Sequence, residues 1–250
     1  MMKMSLETLD NVHEFLKTRA VATSLPAGFK QTSNFVAIAR AIAKAEKMQA
    51  PLALISGSHG VGKTTTLRWY SENWSALMFE LEPKTQPKDI LRRISSLLSI
   101  NAGQGYRMQT SVLIDQLKDN PRIIILDEAQ RADYDSLDLL KYLADSSGST
   151  FILSASPSMG ERIKKWPDID SRVWIKKRVN PMDAQELVDL YLEDGWLKET
   201  LLEIHKCTGG VHREITALFR NCDQLLNGTD LTYSNLLPAH IRAIVNEEMS

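Results

Sequence analysis

Apolar residues recur along this chain in two rhythms. Short continuous runs stand at Leu52 to Ile55, Ala76 to Leu81, Ile123 to Leu126, Ser149 to Ser154 and Val173 to Lys177. Between them, apolar positions return at helical spacing: Phe35, Ile38, Ile42 and Ala45; then Ile90, Ile94, Leu97 and Leu98, with Arg92 and Arg93 on the opposite side. Thr32-Ser33-Asn34 offers N-cap chemistry to the first of these helices. Further helices are expected over Thr64 to Trp74, Pro87 to Ile100, Met108 to Asp119 and Tyr134 to Asp145, and after Pro157. Runs without alternation belong to strands covered on both faces, and strand–helix alternation repeated five times predicts an α/β fold with a doubly wound parallel sheet. From Pro181 the strand signal stops. Residues 183–193, 197–206, 211–226 and 234–246 read as four helices, a small C-terminal helical lid. Leu6, Leu9, Val12 and Leu16 mark a short amphipathic helix at the start. The expected division is an N-terminal arm over 1–25, an α/β core over 26–180 and a lid over 181–250.

Composition changes this picture little. The 250 residues carry a net charge of −1, which points to no partner by itself. Its distribution is uneven: residues 157–180 hold seven Lys/Arg against three acids, whereas residues 183–250 hold five against twelve. Two cysteines, Cys207 and Cys222, fit a reducing compartment, and with His205 and His212 they match no zinc spacing. The first twenty residues lack the apolar core of a signal peptide, and no run reaches the ~18 residues of a membrane span, so a soluble cytoplasmic protein without a membrane partner is expected.

The chemistry concentrates where the first strand ends. Gly57-Ser58-His59-Gly60-Val61-Gly62-Lys63-Thr64 fits G-x-x-x-x-G-K-[ST] between a strand and a helix. Backbone N–H groups of such a loop, with the helix start at Thr64 and Thr65, cradle a triphosphate; Lys63 reaches its outer phosphates and the Thr64 hydroxyl holds Mg²⁺. Sixty-four residues beyond Lys63, Asp127 and Glu128 end an apolar strand. Asp127 is positioned to hold the metal and Glu128 to deprotonate water. ATP and Mg²⁺ are the cofactors expected.

These motifs, with Asp127-Glu128-Ala129-Gln130, Ser154-Ala155-Ser156-Pro157 and Gly209-Gly210-Val211-His212-Arg213, resemble an AAA+ ATPase. Within that class the chain resembles transposition regulators of the phage Mu B protein and TnsC type, with secretion ATPases of the ExeA type close behind. The resemblance implies a polar sensor at Ser156, with Ser154 the competing choice, and a lid arginine at Arg213 that reaches the nucleotide. It also implies an arginine finger at Arg172, or else at Arg162, Lys164 or Lys165, entering a neighbouring subunit's site. A homo-oligomer, as a filament or ring, would then be needed for hydrolysis. It further implies sequence-independent binding of double-stranded DNA and recruitment of a transposase. The surface that the resemblance turns toward DNA lies on the helices between the two nucleotide motifs, with candidate contacts at Arg92, Arg93, Arg107, Thr110 and Lys118. Six basic residues against two acids between Lys84 and Lys118 support a positive face there, and the Lys164-Lys165 and Lys176-Lys177-Arg178 clusters are a second possibility.

Overall fold

The structure is a computed structural model and describes residues 29–248 apart from residues 102 and 104. The N-terminal amphipathic segment lies outside the described residues.

The first described helix, α1 (Ser33–Lys47), starts where the Thr32 hydroxyl accepts the Phe35 N–H. It leads into β1 (Leu52–Ser56), the phosphate loop and α2 (Lys63–Asn73). The chain continues through β2 (Leu77–Glu80), α3 (Pro87–Leu97), α4 (Tyr106–Asp119), β3 (Ile123–Asp127), a 3-10 turn at Ala129–Arg131, α5 (Tyr134–Ser147) and β4 (Thr150–Ala155). Two short helices, α6 (Ser158–Lys164) and α7 (Pro167–Asp170), precede β5 (Val173–Arg178). Beyond them the described residues form helices and 3-10 turns: α8 (Ala184–Tyr191), α9 (Lys198–Thr208), α10 (His212–Leu226) and α11 (Pro238–Glu248).

The five strands among the described residues are all parallel, in the order β2-β3-β4-β1-β5. Side-chain parity along each strand separates two cores. Leu52, Leu54, Ile124, Leu126, Phe151 and Leu153 pack against α3 to α7. Ala53, Ile55, Ile123, Ile125 and Ile152 pack against α1 and α2 on the opposite face. The apolar runs are therefore continuous because both faces of the sheet are covered. β4 lies between β1 and β3, so the carboxyl ends of three strands meet at one edge of the sheet. A third core, built on Leu187, Trp196, Leu201, Ile204, Ile215, Leu218 and Ile241, holds the C-terminal helices together.

Two expectations are corrected. Leu97 is 36% exposed, and Leu91 instead joins Ile90 and Ile94 in the core, because α3 stops at Leu97 and turns through Ser99 at φ 56°. The expected 234–246 helix is split: Tyr233–Asn235 forms a 3-10 turn, and α11 starts at Pro238, whose missing N–H suits a helix start. No described helix is long and apolar enough to cross a membrane.

Candidate nucleotide site

At the end of β1 the chain enters a loop that needs glycine. Gly60 and Gly62 have φ of 76° and 94°, in the left-handed region. Gly60 also lies against the start of α10: a β-carbon there would sit 2.7 Å from Val211 Cγ1 and 3.1 Å from Arg213 Cβ. The Arg213 N–H donates to the Gly60 carbonyl at 3.0 Å. The phosphate loop is thus seated against the helix that bears Arg213.

Lys63 Nζ donates to the carbonyls of Gly57 and Ser58 at 2.7 and 2.8 Å. Burial pulls its pKa below the ordinary lysine value, opposed by Asp127 and Glu128 and reinforced by Arg213. The four side chains therefore share one electrostatic neighbourhood, although 64 to 150 residues separate Lys63 from the others. Ser58 Oγ is buried without a partner, an unsatisfied polar atom in the wall of the loop.

Thr64 Oγ1 donates to Asp127 Oδ2 at 2.6 Å, and Asp127 Oδ1 accepts the Glu128 N–H at 2.9 Å. Asp127 is 2% exposed, so this carboxylate is fixed from both sides. A hydroxyl beside a carboxylate is a hard oxygen pair of the kind Mg²⁺ takes, and the two residues fit that ion. Glu128 leaves the strand at φ 55°, an uncommon conformation for a side-chain-bearing residue and a local strain of about 1–2 kcal/mol. Its Oε2 accepts Gln130 Nε2 at 2.6 Å and lies 3.6 Å from Arg131 Nη2. Arg131 is itself tied to Glu80 and to the Leu81 carbonyl.

A phosphate-binding loop on β1, an acid pair on β3 and a polar end to β4 within this strand order define a P-loop NTPase fold of the AAA+ type. Residues 43–163 match the family described as AAA domain. A Staphylococcus aureus protein described as a potential ATP-binding protein is 24% identical over 225 residues, covering 72% of this chain and 83% of its own. Among solved structures, the Aeropyrum pernix ORC2 protein in ADPNP and ADP complexes is similar at 20% identity with a TM-score of 0.62, over 85% of this chain and 66% of that one. Cdc6p from Pyrobaculum aerophilum is similar at 18% identity and a TM-score of 0.63, over 83% of this chain and 65% of its own. The ORC1 protein of Aeropyrum pernix, solved in complex with DNA, is similar at 15% identity and a TM-score of 0.56, over 87% of this chain and 66% of its own. The chain spans about two thirds of the length of these solved relatives.

The other expected site residues are distributed as follows. The Ser156 hydroxyl pairs with Ser158 Oγ at 2.9 Å, and its N–H donates to Gln130 Oε1 at 3.1 Å; Ser154 Oγ is fully buried without a partner. Arg172 lies just before β5, its Nε bound to both oxygens of Asp145 at 3.0 and 2.9 Å. Arg162 points inward: it donates to the carbonyls of Gln130 and Ala132 and stacks over Trp166. Lys164 pairs with Glu161 on an exposed face, and Lys165 is exposed. His59, Thr65 and Arg213 are exposed, and Val61 is buried.

Of the residues expected on DNA, Arg92, Arg93, Arg107 and Lys118 are exposed, and Arg92 is paired 3.8 Å from Asp89. Thr110 is 8% exposed and its hydroxyl donates to the Tyr106 carbonyl, which withdraws it from the surface. Arg107 and Lys118 line an open cavity of about 980 Å³ whose walls also carry Asp115, Asp133, Asp135 and Asp138. Gln130, part of the acid motif in the sequence, links that motif to the end of β4 by hydrogen bonds to Glu128 and Ser156, a link that depends on strand order.

Proposed function

We propose that this protein is an ATPase switch that assembles on double-stranded DNA when ATP is bound and leaves it on hydrolysis. The observation that carries this reading is the 2.6 Å contact between Thr64 and Asp127 with Glu128 alongside, a metal-binding pair next to a general base. In this mechanism Lys63 and the loop N–H groups bind the triphosphate, and Thr64 and Asp127 would hold Mg²⁺. The ion would offset phosphate charge. Glu128 takes the proton as water attacks the γ-phosphorus and the bond to the bridging oxygen breaks. Arg213, set on the loop through its own backbone, adds positive charge from the lid over 181–250. Arg172 completes a neighbour's site in the oligomer. Releasing it from Asp145 gives up only an exposed ion pair, worth about 0–1 kcal/mol.

The exposed cations Arg92 and Arg93, which stand outside the aspartate-lined cavity, support a sequence-independent grip on phosphates. The finer reading, resting on the sequence resemblance, is a target-site regulator of DNA transposition whose ATP-bound filament or ring recruits a transposase. A second reading, an ATPase acting on a protein complex as in the ExeA-type resemblance, draws support from the mixed-charge cavity. Four aspartates there repel phosphates while suiting a polypeptide of both signs.

Incubation with AMP-PNP and a random-sequence duplex, followed by electron microscopy and a salt titration, tests the reading. Nucleotide-dependent assemblies whose DNA affinity falls steeply with salt are expected. Absence of both DNA binding and assembly favours the protein-complex reading.

A further inference from the structure

We propose that Gln130 is a positioning residue for Glu128, and that its amide makes the orientation of the general base depend on the end of β4. The inference rests on the ATPase reading above and extends it to a residue outside the phosphate loop and the acid pair.

The amide is held at both ends. Ser156 offers a backbone N–H, which can only donate, so the atom facing it at 3.1 Å is the acceptor Oε1. Nε2 is thereby turned toward Glu128, where it donates to Oε2 at 2.6 Å. Arg131 approaches the same oxygen at 3.6 Å. Among the described residues the side-chain hydrogen bond to Glu128 falls on Oε2, so the two oxygens of Glu128 are distinguished: one is anchored by the amide, and the other is left to meet water.

Gln130's backbone is fixed independently. The guanidinium of Arg162 donates to its carbonyl at 2.8 Å and to that of Ala132, and is steadied by Trp166, whose ring centre lies 5.4 Å away. A residue pinned at its main chain and at both amide atoms has little freedom to rotate. Any shift of β4's end relative to β3 must pull on the bond to Glu128. A polar side chain at Ser156 was the element expected to report on the nucleotide. In this chain the Ser156 hydroxyl is engaged by Ser158, and the connection from β4 to the base runs through Gln130.

Removing the amide while keeping the volume tests the idea. Gln130→Met should fold and bind Mg²⁺ and AMP-PNP with a dissociation constant within about twofold of the parent, while kcat for ATP falls about tenfold or more, a part of the 10²- to 10⁴-fold a general base supplies. Gln130→Asn, one methylene too short to span both partners, should not restore the rate. In a Glu128→Gln background, Gln130→Met should lower the residual rate no further, because the residue acts only through that carboxylate; a merely structural role would lower it again. Parental kcat in Gln130→Met, or an additional loss in the Glu128→Gln background, overturns the proposal alone. If the parent does not hydrolyse ATP, or Glu128→Gln leaves turnover intact, the ATPase reading fails and takes this assignment with it.

Discussion

Replacing Gly60 by alanine should separate two demands that the phosphate loop places on its glycines. At φ 76° a side chain costs about 1–2 kcal/mol from backbone strain alone. The added β-carbon would also lie 2.7 Å from Val211 Cγ1 and 3.1 Å from Arg213 Cβ, a crowding worth about 1–3 kcal/mol. Gly62, at φ 94°, has nothing within 4 Å of the same position and pays only the first cost. Urea unfolding without nucleotide should therefore show Gly60→Ala losing about 2–5 kcal/mol and Gly62→Ala about 1–2 kcal/mol. Adding Val211→Ala removes the nearest atom and should recover part of the Gly60→Ala deficit, with a coupling of about 1 kcal/mol in a double-mutant cycle. Equal losses in the two glycine variants, or no coupling to Val211, would refute the seating of the loop on the C-terminal helices.

Thr64→Val leaves Asp127 Oδ2 without its donor in a buried setting, so a loss of about 1–3 kcal/mol in thermal unfolding is expected, together with loss of Mg²⁺-dependent tightening of AMP-PNP binding. Arg172→Ala should leave stability and AMP-PNP binding unchanged while abolishing turnover. Arg162→Ala should instead lower the unfolding temperature, because two carbonyls lose their donor. Arg92→Ala with Arg93→Ala should weaken duplex binding and flatten its salt dependence, whereas Thr110→Val should leave DNA affinity as it was, both read by fluorescence anisotropy. Burial pushes the Cys222 thiol up to about 11, above its ordinary value of about 9. Its stabilising contribution is complete below pH 9 and is lost as pH rises toward 11, since the unfolded chain ionises first. Cys222→Ala should show a shallower decline than the parent over that interval in denaturant melts.

The sheet was legible in the sequence because burial on both faces writes unbroken apolar runs such as Ile123 to Leu126, and the loop was legible because Gly, Lys and Thr at fixed spacing serve one geometry. Asp127 and Glu128 followed for the same reason. What escaped were side-chain partnerships, which neither spacing nor composition fixes. Arg162 and Arg172 look alike in a basic stretch, yet one turns inward to carbonyls and the other pairs with Asp145 at the surface. Thr110 looked like a surface donor until a helical carbonyl one turn earlier took its hydroxyl. Gln130 reaches both Glu128 and Ser156 only because β4 lies beside β3, an order that periodicity does not encode. The split before Pro238 was in the sequence, where a proline interrupts an expected helix.

The hydrogen bond from Arg213 to Gly60 also has a consequence for synthesis. The phosphate loop emerges from the ribosome 153 residues before the backbone that closes it, the difference between positions 213 and 60. Asn34, which donates to the carbonyls of both Val61 and Asn180, waits nearly as long for its second partner. At about 5–20 residues per second, the loop spends on the order of ten seconds or more without its far wall. A nascent chain halted before α10 carries the whole phosphate-binding sequence but lacks the segment that seats it, so ATP should associate with its finished form only late in translation.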